Sequence, residues 1–217
     1  MTTEGINSTT KIGKLPIDWM LKKAEEISLK VSKGTTPPKS EISHNGAIPF
    51  LRVNNLSFNG VLDSNSDLIY VSSNAHENGL ARSKVYPGEI LMNIVGPPLG
   101  KTALLDGTYA EYNMNQAIVF YRLDRSLVDN QYFLAFLCSS IAQGWLQSRS
   151  KKTSGQQNLT IELCKQLPVP LPPLPEQKKI AKVLAIWDRA ITTTQQLLTN
   201  SEQQKKALMQ QLLSGKK

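Results

Sequence analysis

The sequence predicts an α+β protein: an irregular mixed α/β globule over residues 1–167, then a segment over 168–217 dominated by one long coiled-coil helix. Three observations predict it. Apolar, strand-like runs separated by Gly, Pro, Asn and Asp turns fill residues 48–123, with helical periodicity on either side. The composition then shifts at the proline-rich PVPLPPLP of residues 168–175. Beyond it, no Pro or Gly occurs before Gly215, and apolar residues recur in steps of four and three.

The elements follow in order. The polar N-terminus, residues 1–14, is expected to fray. Trp19 to about Val31 fits a short helix, with Leu21, Ala24, Ile27 and Val31 on one face. Lys33-Gly34-Thr35-Thr36-Pro37-Pro38 breaks it into a loop. Strands are predicted at Ile48–Val53, Leu68–Val71, Glu89–Val95, Thr102–Leu105 and Ala117–Leu123. A second helix runs from Asn130 to Gln147, with Asp129 as its cap. Ser148–Asn158 is polar and basic, without an apolar anchor, and reads as a loop.

The last helix has clear ends. Pro175 suits its first position, Glu176 complements the positive end of the dipole, and Gly215 with Lys216 and Lys217 suits the other end. At 1.5 Å per residue it would span about 60 Å, longer than a small domain is wide. Ile180, Leu184, Trp187, Ile191, Leu198, Leu208 and Leu212 form an apolar seam, interrupted by Thr194, Ser201 and Lys205. Such a seam calls for another long helix beside it.

No catalytic pattern emerges. Gly96-Pro97-Pro98-Leu99-Gly100-Lys101-Thr102 ends like a phosphate-binding loop, but three residues separate its glycines where four are needed. Its prolines also remove N–H donors, so a turn between two strands is the better reading. His44 and His76 are far from each other in sequence and from Cys138 and Cys164, which show no metal-like spacing and read as reduced thiols, Cys138 a buried one. No cofactor or metal is expected. No apolar run reaches a membrane span, and a cytoplasmic protein without membrane association is expected.

Net charge is +8, and residues 176–217 hold eight Lys/Arg against three Asp/Glu. A polyanion partner and a solvated basic helix face both fit that balance. Residues suited to phosphates and base edges fall in three stretches. The first is Arg149, Lys151, Lys152, Thr153, Ser154, Gln156, Gln157 and Asn158, where Gly155 permits close approach; a linker would share its composition. The second is Thr35 and Thr36, the third Arg52, Asn54 and Asn55; Lys101 is an additional candidate.

These pieces together resemble the specificity subunit of a type I restriction–modification system. Leu15-Pro16-Ile17-Asp18-Trp19 is similar to the family's Leu-Pro-x-x-Trp opening, and Gly34-Thr35-Thr36-Pro37 to its Gly-x-Thr-Pro loop. Gly88–Leu91, Gly100–Ala103, Asn113–Ala117, Gln157–Leu159, Pro168–Ile180 and Leu208–Gly215 resemble further landmarks. The resemblance implies a target recognition domain over 1–167 that reads half of a bipartite double-stranded DNA sequence. It implies a conserved-region helix over 168–217 that sets spacing and docks the modification subunits, which carry the S-adenosylmethionine chemistry, and through them the restriction subunit. The family pattern has two such domains and two helices in one chain. This sequence has one of each, which suggests a non-catalytic half-subunit working as a homodimer. A coiled-coil adaptor that has lost DNA reading is the alternative.

Overall fold

The structure is a computed structural model and describes residues 15–63, 67–153 and 156–215. The predicted fraying of residues 1–14 and the role of Lys216 and Lys217 lie outside them. The chain divides into two compact units, Met1–Lys178 and Lys179–Lys217.

The globular unit opens with β1 (Met20–Lys23), a 3-10 turn over Ala24–Ile27 and β2 (Ser28–Lys33). The helix predicted there does not form. Each piece finds a distant partner instead: β1 pairs antiparallel with Pro168–Leu171, and β2 with Ile118–Leu123. The three-residue spacing of Ala24 and Ile27 is met by the single 3-10 turn, which buries both.

Next come β3 (Ile42–Ser43), β4 (Ile48–Leu51), β5 (Ile69–Val71) and the short α1 (Ser73–Glu77). The centre is β6 (Ile90–Asn93), β7 (Val95–Gly96), β8 (Thr102–Leu104), β9 (Asn113–Met114) and β10 (Ile118–Leu123). Strands β2-β10-β6-β8 form one four-stranded sheet and β3-β5-β4-β9 a second, in which only the β4–β9 pair is parallel. β10 explains why its sequence is apolar on both faces. Ile118 and Phe120 enter a core with Leu51, Leu56, Leu91, Tyr112 and Met114, while Tyr121, also fully buried, meets Phe133 edge to face at 5.2 Å.

The predicted helix over 130–147 is two, α2 (Asn130–Cys138) and α3 (Ser140–Arg149). Ser139 separates them in an extended conformation and caps α3 by accepting from Ala142 N at 3.3 Å. Asp129 caps α2 as expected, through Gln131 N and Tyr132 N. The stretch read as a loop is the hairpin β11 (Lys151–Thr153) and β12 (Gln156–Asn158), whose anchor is β7 rather than an apolar side chain. Cys138 is half-buried rather than buried, and Cys164, in α4 (Ile161–Lys165), is buried.

The globular unit reaches past the composition boundary at 167. β13 (Pro168–Leu171) clasps β1, where two prolines are tolerated because this sheet has only two strands. The first turn of α5 (Leu174–Leu213) then carries Gln177, which is fully buried. Its Oε1 accepts from Asp129 N at 2.8 Å, and its Nε2 donates to Leu127 O at 3.0 Å and Pro172 O at 2.8 Å. Every polar atom of that amide is used. This ties the helix start to the cap of α2.

The second unit is the remainder of α5, a helix of 40 residues in all, about 60 Å long. Its seam residues Leu184, Trp187, Ile191, Leu198, Leu208 and Leu212 are exposed. Thr194 and Ser201 donate their hydroxyls to Ala190 O and Leu197 O of their own helix, both at 2.8 Å. Those two polar seam positions therefore need no hydrogen-bond partner from a neighbour.

Candidate nucleic-acid interface

Two of the segments singled out for DNA contact meet the short stretch of residues 114–118 directly, and the others reach it through Asn93 and Ile94. Gly34 N donates to Ile118 O at 3.0 Å and Thr35 N to Met114 O at 3.1 Å. Asn115 N donates to Leu51 O at 3.0 Å, which places Arg52 and Asn54 beside the same turn. Ile94 N donates to Ala117 O, and Leu159 N to Ile94 O, both at 2.8 Å, bringing in the chain that carries β7 and the β11–β12 hairpin. Gly34 is required by this packing: a Cβ there would lie 2.1 Å from Asn115 O.

Asn93 fixes the remaining loop. Its side chain is fully buried, its Nδ2 donates to Val95 O at 3.1 Å and Pro98 O at 2.8 Å, and its Oδ1 accepts from Lys101 N at 2.7 Å. Residues 96–101 are thus a turn between β7 and β8 closed by an amide, with Gly100 at φ +83° against Gln143. Lys101 leaves this turn half-buried.

The other predicted residues divide. Thr36 and Asn54 are exposed and Thr35 is half-buried. Arg52 commits its guanidinium to Asp67, at 2.7 Å to the carbonyl and 3.0 Å to the carboxylate. Asn55, expected on the DNA-facing surface, is 1% exposed. Its Oδ1 accepts from Arg52 N at 2.8 Å, so it closes the turn after β4 and cannot present an edge to a base. Arg149, exposed at the end of α3, lies over the Trp145 ring at 4.4 Å. Lys151 is exposed, and Gln157 and Asn158 are half-buried opposite Gly96 and Val95. The backbones of Lys152, Thr153 and Gln156 belong to the hairpin. Ser154 and Gly155 lie outside the described residues.

Two residues that shape this region escaped the sequence reading. Asn93 sat inside a predicted strand, where a lone amide among Ile, Leu and Met was the available signal. Arg82 lies in a 3-10 turn (Ala81–Ser83), and its Nε donates to Thr35 Oγ1 at 3.1 Å. Only its place in a short basic stretch marked it.

His76 is not isolated. It is fully buried, with Nε2 2.8 Å from Glu111 and Nδ1 2.6 Å from the Asn113 amide. Glu77 and Glu111 stand near enough to share a cation with it. Lys84 already fills that role, at 2.7 Å from Glu77 and 3.9 Å from Glu111. Its ammonium holds the Glu77 carboxyl below the usual carboxylate range. Both ring nitrogens are engaged, so the group reads as a closed ion-pair network rather than a metal centre.

The described residues thus combine irregular sheets around a meeting of polar loops with a long helix that carries an exposed apolar seam. Residues 16–203 match the type I restriction modification DNA specificity domain. The chain belongs to that family. It is 27% identical over 214 residues, covering 94% of this chain and 48% of the relative, to a Methanocaldococcus jannaschii protein provisionally named the type I restriction enzyme MjaX specificity subunit. Its fold is similar to that of the HsdS subunit from Thermoanaerobacter tengcongensis (TM-score 0.67, 18% identity, 93% of this chain and 50% of that one). It is also similar to the type I restriction-modification S subunit from M. genitalium (TM-score 0.60, 18% identity, 99% and 49%). The chain spans about half the length of these relatives.

Proposed function

We propose that this chain is a half-length, non-catalytic specificity subunit that reads double-stranded DNA for a type I restriction–modification complex. The Thr35 and Asn54 segments meet residues 114–118 directly, and those of Lys101 and β11–β12 reach it through Asn93 and Ile94; this arrangement supports the reading most directly. Thr35, Thr36, Asn54, Lys101 and Lys151 on these loops are at least partly exposed, and such residue types suit phosphates and base edges. The exposed seam of α5 supports the second half of the reading. Two copies pair antiparallel through this face about a two-fold axis, and modification subunits, with the restriction subunit beyond them, assemble on the pair. Two identical readers then meet an interrupted palindrome. The helix length caps their separation at about 60 Å.

Salt-dependent binding to duplex DNA tests the reading. Changing Lys151 and Lys152 together to Ala should weaken binding on every sequence and reduce the slope of log K against log salt by about two. Equal affinity and slope in wild type and variant would reduce the hairpin to a spacer. Failure of the wild-type chain to bind duplex at all would leave the coiled-coil adaptor instead.

A further inference from the structure

We propose that Arg82, Lys30 and the Thr35 hydroxyl form a preformed seat for one DNA backbone phosphate. The proposal rests on the DNA-reading function above and assigns two residues to it. Arg82 spends Nε on Thr35 Oγ1 at 3.1 Å, which leaves the two terminal nitrogens of its fork. Among the described residues, neither Arg82 nor Lys30 has a carboxylate within ion-pair distance, although nine such pairs occur elsewhere. Lys30 Nζ donates to Arg82 O at 3.3 Å and lies 5.5 Å from the Phe120 ring centroid, so it is held beside the same turn. Glu89 also lies in the field of Lys30, but its charge is answered by Arg122, whose Nε donates to it.

The backbone beneath is fixed. Ser83 is buried and donates both N–H and Oγ–H to Leu80 O, at 2.9 and 3.0 Å, and Leu80 N donates to Ala75 O at 2.8 Å. Two exposed cations held close by hydrogen bonds, with no anion of their own, form a site poised for an anion. A planar guanidinium with its terminal nitrogens unspent suits a tetrahedral phosphate. The location suits DNA as well. Gly34 and Ile94 bond to Ile118 O and Ala117 O, on opposite sides of the chain that becomes β10. They therefore lie about two strand spacings, or roughly 10 Å, apart. The seat holds one backbone while the β7 side carries the hairpin.

The test uses the full chain, two duplexes of unrelated sequence and a salt titration by fluorescence anisotropy. Arg82→Gln and Lys30→Gln should each lower the salt slope, equally on both duplexes, and the double variant, which empties the seat of its one phosphate, by about 0.9 in all. Thermal melting of each variant reports whether the Thr35 tie serves folding alone. A lower melting temperature with an unchanged slope would overturn the proposal, and so would a change confined to one duplex, which would make Arg82 a base reader. Because Lys30→Gln leaves the Arg82–Thr35 bond in place, it tests the seat even if Arg82→Gln fails to fold. Wild type without salt-dependent binding would reject the DNA-reading function itself, a result distinct from a normal wild-type slope that the variants share.

Discussion

The two units use the same kinds of apolar residue to opposite ends. In the globular unit Phe120 and Leu91 are completely buried on strands paired with each other, and Tyr112, 1% exposed, bridges to Val85. In the helical unit Trp187 is 65% and Leu212 79% exposed. Patterning explains the difference. Short apolar runs broken by turn residues every few positions let a chain fold back on itself. A period of 3.5 sustained over some thirty residues offers only a straight face. The globule buries its apolar residues within itself, whereas the helix leaves its seam exposed.

The largest effect should follow from attacking the buried side. Phe120→Ala removes a fully buried ring and should lower unfolding free energy by about 3–5 kcal/mol, measured by urea denaturation. A loss below 1 kcal/mol would mean that β10 is not the centre of the core. On the other side, replacing Leu184, Trp187 and Ile191 together with Lys should leave that urea transition in place. Sedimentation should show self-association weakened by at least about 100-fold, a change of roughly 2.7 kcal/mol. A variant still dimeric at wild-type concentrations would exclude the seam as the contact.

The smallest effect is chemical. Burial pushes the Cys164 thiol up to about 12, so at pH 8 it stays protonated and should resist iodoacetamide in the folded chain. A cysteine introduced by Leu212→Cys should react readily in dilute protein and be protected as concentration rises and the helices pair. Rapid labelling of Cys164 by mass spectrometry would contradict its burial. Concentration-independent labelling at position 212 would leave the helix face without a partner.

How much was legible depended on how local the cause was. The strands at 48–51, 69–71, 90–93 and 118–123 could be read from runs bounded by turn residues, and the cap of α2 from Asp129. The segment from Trp19 to Val31 could not. Its strand partners lie near residues 120 and 170, and nothing in a helical wheel reports them. The hairpin at 151–158 was hidden for a related reason, because backbone pairing with Val95 and Gly96 holds it. Among candidate contacts, Asn54 and Asn55 are equivalent as letters. Only the fold turns one outward and makes the other the acceptor for Arg52 N.

The clasp of β1 and β13 carries a consequence of its own. Met20 stands opposite Leu171 and Lys23 opposite Pro168, so the path into the globule and the path out run side by side, one strand spacing or about 4.8 Å apart. A body whose two leads emerge together behaves as a cassette. It can be exchanged for another of different sequence, or threaded twice into a longer polypeptide, while the flanking segments keep the same anchor points. Relatives twice this length are what such a cassette permits.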